Sequence, residues 1–556
     1  MVTNHKIKEI VLFILLAIDA FLSYKIATFG NSDGLGGIYN GYSNTFDTSF
    51  FVKAGISFVV LGVISTIVVL MIANRFSKSR RTNSSALLNW KQIKAEQRGL
   101  ASDYLIPKND PKFKDGTALL LTQNVKLLPD KVFHHTMVVA STGSGKSASI
   151  LIPQLQALNG RVSAVVTDPK AELHKKTYKM LEAKGFNVKL LKLDKPEVSV
   201  KYNLLANCRN VDDVRKLAES ILGNDEWGML SQPLLSAFLF RQYFLGGTLS
   251  DVVKDLAESP QDIYELGLEY FHKDEVDKYS RMAFEQFQKV SSAGNAVGSI
   301  FLTIQGKMRV FEFDNIREIS SSNDFKVKSL RNEKTVLFIS YPEEESRTYE
   351  PFLASFYFQL FNILKGDDSV QEGADREVEE GLPIYFLMDE FANVGRIPAM
   401  DNLISTIRSK KMGIEIFLQN IEQLKINYGN DVAKTIVSNC KTRMTMAGSS
   451  EESAEFFSKI CGEQEVEKTS VSYGGKGSVS YSSSKQKERV ISANEITRMK
   501  DYDALIVTAN LRPVKDDKNY YYMDKVDFWF FKNTRFSNET KKKLARRVKK
   551  LIGYKK

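Results

Sequence analysis

The sequence predicts an α/β protein that carries an all-α insertion and is preceded by two transmembrane helices. From Val138 onward, short β-branched runs alternate with helical patterns, which is typical of a parallel sheet with crossover helices. Between Asn203 and Asn323 the alternation stops and apolar residues recur at helical spacing, which indicates the insertion. The predicted strands are Thr136–Ala140, Val162–Thr167, Val188–Leu193, Thr335–Ser340, Ile384–Met388, Glu415–Leu418 and Leu505–Val507.

Two apolar stretches at the N-terminus predict the membrane anchor, because a bilayer core requires about 20 apolar residues per helix. Residues 54–73 contain no charge and are followed by a cluster of Arg and Lys, which indicates a membrane-spanning helix. The first stretch, about 10–29, contains Asp19, and a cleaved signal peptide is the alternative interpretation of it. If both stretches span, the flanking positive charges place both termini in the cytoplasm and residues 30–53 outside.

Composition excludes several protein classes. With 43% hydrophobic and 26% charged residues, the 556-residue chain is neither collagen-like nor globally disordered. Its three cysteines are too few and too scattered for a disulfide scaffold or a zinc module. Nine of the net +11 charges come from 541–556, so the body is nearly neutral and its pI does not by itself indicate nucleic-acid binding.

The predicted organisation has five parts. The last of them, 516–556, contains an aromatic segment and a basic tail. Contact of the tail with a lipid surface, contact with a substrate and plain solvation are all open interpretations. A Gly- and Ser-rich stretch, Ser470–Ser484, predicts an exposed hairpin. The parts are a membrane anchor at 1–80, the first portion of a nucleotide-binding domain at 81–202, the helical insertion at 203–325, the second portion of that domain at 326–515, and the tail at 516–556.

A phosphate-binding loop is predicted between the strand Thr136–Ala140 and the apolar helical run that follows it. Glycines in such a loop let backbone N–H groups converge on a phosphate, and the following helix N-terminus favours anions. Lys146 is expected to reach the β- and γ-phosphate oxygens of ATP, and Ser147 to ligate Mg²⁺. Ala140 replaces the first glycine of the strict pattern. The predicted cofactor-binding residues are Thr142, Gly143, Ser144, Gly145, Lys146 and Ser147.

An acidic pair, Asp389 and Glu390, follows the apolar strand Ile384–Met388. Ligands of open α/β sheets bind at the carboxyl ends of the strands. We therefore expect Asp389 to hold Mg²⁺ through water and Glu390 to polarise the attacking water. Gln419, after the next strand, is a candidate sensor of the γ-phosphate or alternatively a surface residue.

Two arginines are candidates for a finger that reaches the nucleotide of a neighbouring subunit. Arg408 is expected on a helix over Ile397–Lys411, and Arg443 just before a strand. Either residue could instead form surface ion pairs.

Several segments together form a specific pattern. They are the two N-terminal apolar stretches, TGSGKS at Thr142–Ser147, DPKAEL at Asp168–Leu173, MDEFANVGRIP at Met388–Pro398 and the continuation at Leu403–Lys425. These segments closely resemble the coupling proteins of type IV secretion and conjugation systems, of the TraG/TraD type. The resemblance covers roughly Thr136 to Ala509, and its most specific part is the run DEFANVGRIP.

The resemblance implies a membrane-anchored hexameric ATPase with a RecA-like P-loop NTPase domain and an all-α domain that receives substrate. It also implies action at the entrance of a secretion channel, on a relaxase bound to single-stranded DNA or on effector proteins. The family's phosphate-binding lysine and serine correspond to Lys146 and Ser147, and its acidic pair to Asp389 and Glu390. A pump for double-stranded DNA of the FtsK/HerA type and a docking receptor that uses nucleotide only for assembly are the alternatives.

Overall fold

The computed structural model describes the larger of two compact units, Ser85–Lys556, in part. The described residues are 87–88, 104–107, 117–158, 160–291, 296–366, 381–473, 479–509, 511–524, 527, 531–533 and 537–551, with backbone only at 467–473, 479–483 and 550–551. The predicted membrane helices at 10–29 and 54–73 lie outside these residues. Within the described part, no helix combines the length and the apolar character needed to cross a bilayer.

Most described strands belong to a nine-stranded sheet, whose order is β14-β13-β10-β4-β9-β8-β5-β7-β6. A three-stranded sheet, β1-β3-β2, and a hairpin, β11-β12, accompany it. The strands are β1 (Leu105–Pro107), β2 (Leu119–Leu120), β3 (Val125–Leu127), β4 (Thr136–Val139), β5 (Ser163–Thr167), β6 (Asn187–Lys192), β7 (Thr335–Ser340), β8 (Ile384–Met388), β9 (Met412–Leu418), β10 (Thr442–Met446), β11 (Glu463–Tyr473), β12 (Val479–Arg489), β13 (Asp503–Thr508) and β14 (Val514–Asp517).

Seven neighbouring strands, from β6 to β10 across the sheet, are parallel. The strand predicted at Leu505–Val507 is present as β13, but it pairs antiparallel with β10, and β14 is antiparallel to β13. The connection from β13 to β14 spans only Ala509–Pro513, which allows a hairpin but is far too short for the crossover that a parallel pair requires. The sheet is therefore parallel through most of its width and antiparallel at one edge.

Helices connect and cover the strands. The described residues between β6 and β7 contain helices and no strand. One of these helices continues into a π turn and another into a 3₁₀ turn. The α-helices are Pro129–Val132, Ile152–Ala157, Glu172–Ala183, Val211–Leu222, Glu226–Leu245, Leu249–Glu258, Ile263–Leu266, Lys278–Ser291, Val297–Met308, Asp314–Ile319, Ser329–Asn332, Ser346–Lys365, Met400–Thr406, Glu422–Tyr428, Asn430–Asn439, Glu451–Cys461, Ala493–Thr497 and Asn538–Leu551.

The two faces of the sheet belong to different hydrophobic clusters, because side chains alternate along each strand. The helices between β6 and β7 are called the helical stretch below. Met137 and Val139 of β4 pack in the cluster that includes Phe238 of this stretch. Val138 of the same strand faces the opposite cluster, with Leu151 and Leu155 of the segment that follows the phosphate-binding loop. The helical stretch thus shares a continuous core with one sheet face, and the loop is supported from the other.

The hairpin predicted at Ser470–Ser484 is longer than expected. β11 and β12 contain eleven residues each and pair in register from Glu463 opposite Arg489 to Tyr473 opposite Val479. Charged and hydroxyl residues before Ser470 and after Ser484 concealed the strands, because they lack the apolar alternation that marks a half-buried strand.

Phe284 is expected to support the helical stretch. Its ring is fully buried and stacks on Phe271 with ring centroids 4.6 Å apart. Phe284→Ala should cost about 3–5 kcal/mol of local stability through lost burial and the cavity left behind. Met282→Ala, on the same helix at a side chain 57% exposed, is the matched control and should be nearly neutral. Thermal unfolding followed by circular dichroism measures both, and equal melting temperatures for the two variants would contradict the packing described here.

Candidate nucleotide-binding site

The site is built on the carboxyl edge of the parallel strands. Val139 at the end of β4 pairs with Leu418 at the end of β9, and Met388 of β8 pairs with Ile416 of β9 and Thr167 of β5. Because these strands run in the same direction, the loops that follow them leave the sheet side by side. Residues that are distant in sequence therefore meet at this edge.

The loop after β4 has the geometry of an anion-binding turn. Gly143 and Gly145 have φ of 77° and 87°, a left-handed conformation that suits glycine. The chain then enters a π-helical turn at Ser147–Leu151, which continues as the helix Ile152–Ala157. The Ser149 hydroxyl donates to the Gly145 carbonyl at 2.8 Å and fixes the start of this turn.

Lys146, Glu390 and Gln419 form the centre of the site. Lys146 Nζ donates to Glu390 Oε1 at 2.9 Å, and Gln419 Nε2 donates to Glu390 Oε2 at 3.1 Å. The Lys146 and Glu390 side chains are only 7% and 14% exposed. Each carboxylate oxygen of Glu390 is thus held by a different donor. Glu390 itself has φ 49°, a conformation that costs a non-glycine residue on the order of 1–2 kcal/mol.

Two further carboxylates lie in the same poorly solvated region. Burial, together with the neighbouring Glu390 charge, raises the pKa of Asp389 to about 7. Burial also raises the pKa of Asp168 to about 6, although Oδ2 of Asp168 accepts a 2.8 Å hydrogen bond from the His174 N–H at the start of the helix Glu172–Ala183. This hydrogen bond satisfies one of the backbone N–H groups that the first turn of the helix leaves open.

A pocket of about 230 Å³ lies among these residues. Its lining includes the whole loop from Ser141 to Ala148, both acids Asp389 and Glu390, and the Asp168–Lys170 turn. At its rim, Lys170 is largely exposed and pairs with Glu343 at 2.7 Å. All six residues predicted to bind the cofactor, and both residues predicted to contact a metal, therefore face one pocket. Within the described chain, no three His, Cys, Asp or Glu side chains are grouped to hold a metal ion.

The two candidate finger arginines are not in this pocket. Arg443 lies within β10 rather than before a strand, and its guanidinium donates to the Val437 carbonyl at 3.0 and 3.2 Å. Arg408 lies on the 3₁₀ turn Ile407–Lys410, exposed, just before β9. The expected helix over Ile397–Lys411 is shorter, Met400–Thr406. Both arginines lie toward the amino ends of their strands, so neither reaches the carboxyl edge of the sheet in its own chain.

Residues after β14 also contact the phosphate-binding loop, and sequence reasoning did not single them out. Lys518 Nζ donates to the Ser144 carbonyl at 2.8 Å, and the Tyr521 N–H donates to the Ala148 carbonyl at 3.0 Å. Lys518 and Ser144 are 374 positions apart in the sequence, so no local pattern could have indicated their contact.

Residues 82–551 match the family model described as type IV secretory system conjugative DNA transfer. The chain belongs to this family. It is 24% identical over 413 residues to VirD4 of Rhizobium radiobacter and 25% identical over 398 residues to the conjugal transfer protein TraG of Escherichia coli. These matches cover 70% and 66% of this chain but 57% and 61% of the relatives, less than two thirds of their length.

Solved structures show the same fold. The bacterial conjugative coupling protein TrwB in its unbound monoclinic form superposes with a TM-score of 0.59 at 16% identity, covering 79% of this chain and 94% of that one. TrwB in complex with ADP and Mg²⁺ superposes with a TM-score of 0.58 over the same shares. The family-model match confirms the predicted family, and the solved structures confirm the mixed α/β fold with its central parallel sheet.

The raised pKa of Asp389 predicts a pH-dependent effect of Asp389→Asn. In the folded chain Asp389 is protonated below about pH 7, whereas in the unfolded chain it ionises near its usual pKa of 3.8. Stability is therefore lost as the pH rises through this window, and the full cost is present above pH 7. An asparagine has no such cost. The stability gained by Asp389→Asn should increase by roughly 1 kcal/mol between pH 6 and pH 8.

Thermal unfolding of the full chain without nucleotide, at both pH values, measures this difference. Asp431→Asn, at a side chain 97% exposed, is the control and should show the same small effect at both pH values. An effect of Asp389→Asn that does not change with pH would show that this carboxyl is well solvated.

Proposed function

We propose that the chain is a membrane-anchored ATPase that couples a substrate to a type IV secretion or conjugation channel and drives or gates its transfer. The substrate class we infer is single-stranded DNA with its relaxase, effector proteins, or both. The observation that carries the proposal is the meeting of Lys146 and Glu390 in one pocket at the carboxyl edge of the sheet, where Gln419 holds the second oxygen of Glu390. Family membership supports it.

The loop residues fit a nucleoside triphosphate. Gly143 and Gly145 adopt the left-handed backbone conformation that lets N–H groups of the loop turn toward a phosphate, and Lys146 already binds a carboxylate oxygen, that of Glu390. We propose that ATP phosphates replace Glu390 as the partner of Lys146. Ser147 and Asp389 would hold Mg²⁺ together with phosphate oxygens, and the ion would neutralise charge on the phosphates.

Release from Lys146 would free Glu390 to act on water. With one oxygen no longer paired to an ammonium group, the carboxylate can accept the proton of the attacking water. Gln419 Nε2 would keep the other carboxylate oxygen in place, which fixes the orientation of the base and links Glu390 to β9. Gln419 would respond to the γ-phosphate through Glu390. Loss of that phosphate would allow Lys146 and Glu390 to pair again, and Gln419 is bonded to the other oxygen of Glu390.

We further propose the assembly that the family implies. Residues 1–80 would anchor the chain as a multi-pass protein of the bacterial cell membrane, with both termini and the ATPase domain in the cytoplasm, supported by the uncharged stretch 54–73. The nucleotide-binding domain would comprise 81–202 and 326–515. The helical domain at 203–325 would receive the substrate, and residues 516–556 would form the tail. A homo-hexamer would bring Arg408 or Arg443 of one subunit toward the nucleotide of the next.

Hydrolysis of ATP by the full chain tests this proposal. DNA should stimulate turnover, and single-stranded DNA should do so more strongly than double-stranded DNA. Lys146→Ala should abolish turnover through lost phosphate binding, and Glu390→Gln should reduce kcat by about 10²–10⁴-fold while ATP binding persists. Lys434→Ala, at an exposed lysine paired with Asp431, is the control and should retain full activity.

Each alternative predicts a different result. Stimulation by double-stranded DNA alone would favour a duplex pump of the FtsK/HerA type. Nucleotide binding without hydrolysis, even with DNA at concentrations that force assembly, would contradict the motor and favour a docking receptor.

A further inference from the structure

Residues 518–521, directly after β14, run along the outside of the phosphate-binding loop. We call them the 518–521 segment. It contacts the loop at three successive points: Lys518 at the Ser144 carbonyl, Tyr520 against Gly145, and Tyr521 at the Ala148 carbonyl. The side of the loop that faces away from the pocket is therefore covered by a distant part of the same chain.

Lys518 is an unusual residue to bury. Its side chain is only 2% exposed, and no carboxylate of the described residues lies within ion-pair distance of Nζ. Asp501 and Asp503 are near enough to favour its charge, but Asp503 is paired with Lys515 at 2.8 Å. Burial lowers the pKa of Lys518 to about 8. A buried ammonium group without a counter-ion is costly, which calls for a compensating role.

The hydrogen bond from Lys518 fixes the orientation of one peptide group. The Ser144–Gly145 peptide is trans, so its C=O and N–H point in opposite directions. Lys518 holds the C=O on the outside of the loop at 2.8 Å. The Gly145 N–H must then point inward, and it has no hydrogen-bond partner among the described residues. An inward N–H at this position is a donor for an anion in the loop.

Tyr521 donates to a second backbone carbonyl, that of Ala148, for which the helix after the loop provides no donor. In the π-helical turn, the Ile152 N–H bonds to the Ser147 carbonyl, so the matching donor for the Ala148 carbonyl would come from residue 153. That residue is Pro153, which has no N–H. The Tyr521 N–H supplies the missing hydrogen bond at 3.0 Å. The Tyr520 ring closes the remaining space, since a Cβ on Gly145 would lie 3.3 Å from it.

We propose that Lys518 is a positioning residue for nucleotide binding, which orients the Ser144–Gly145 peptide so that its N–H faces the bound phosphates and adds a positive charge behind the loop. The proposal rests on the proposed function, because it assumes that the pocket binds a polyphosphate. It goes further in assigning part of the phosphate affinity to the chain after β14, outside the loop itself.

Steady-state ATP hydrolysis and ADP binding by the full chain test this assignment. Lys518→Met keeps the length and apolar stem but removes the charge and the donor. It should raise the KM for ATP and the Kd for ADP roughly tenfold, the effect of losing one charge-assisted contact, with kcat changed less than about twofold. Lys518→Gln keeps a donor without the charge and should give an intermediate increase. Lys434→Met, at an exposed lysine paired with Asp431, is the control and should leave both constants unchanged.

A split between KM and kcat separates positioning from a general structural role. A fraction of misfolded protein would lower the apparent kcat at unchanged KM, and circular dichroism measures that fraction directly. Inorganic pyrophosphate, used as a competitor of ATP, should lose affinity by the same factor as ADP, because the effect acts on the phosphates. If Lys518→Met does not fold, the comparison of Lys518→Gln with Lys434→Met gives the same test.

Unchanged KM and Kd in the folded Lys518 variants would overturn this proposal and leave the ATPase proposal intact. Loss of affinity for ADP without loss for pyrophosphate would also overturn it. A wild-type chain that binds no nucleotide would overturn both.

Discussion

Parallel pairing of β4, β9, β8 and β5 is the constraint on which the site depends. Because these strands share one direction and end in register, the phosphate-binding loop, Gln419, the Asp389–Glu390 pair and the Asp168 turn leave the sheet at a single edge. The helical stretch and the loop helix pack on opposite faces of the sheet. A shift of one strand by a residue would turn its side chains to the other face and separate these groups.

Charge balance explains how the pocket accommodates its three poorly solvated carboxylates, those of Asp168, Asp389 and Glu390. Asp168 and Asp389 have raised pKa values because they are buried, and Glu390 is held by Lys146 and Gln419. In the proposed chemistry a polyphosphate would compete with Glu390 for the same ammonium group, so nucleotide binding and activation of the base would be one event. Lys146 and Lys518 approach the loop from opposite sides, one toward the pocket and one from behind, and together they offset the negative charge that the site would receive.

Local patterns predicted the strands that carry the site, the phosphate-binding loop and the acidic pair, because apolar runs and a Gly-rich turn before a Lys-Ser pair are local signals. β10 was not among the predicted strands, and a strand was expected only after Arg443, because Thr442–Met446 begins with two polar residues in succession and lacks a β-branched run. The antiparallel edge and the role of Lys518 could not be predicted, since both depend on pairing between distant segments. The position of Arg408 and Arg443 at the far end of their strands follows from sheet order, which the sequence does not reveal.

The most direct test of this account is a high-resolution structure of the full chain with a non-hydrolysable ATP analogue and Mg²⁺. The account predicts phosphate oxygens within hydrogen-bond distance of Lys146 Nζ and the Gly145 N–H, and a distance from Lys146 Nζ to Glu390 Oε1 well beyond its present 2.9 Å. The contact between Lys518 and Ser144 should persist. A nucleotide bound elsewhere, or bound in this loop with the Lys146–Glu390 pair intact, would contradict the exchange of partners on which the proposed chemistry depends.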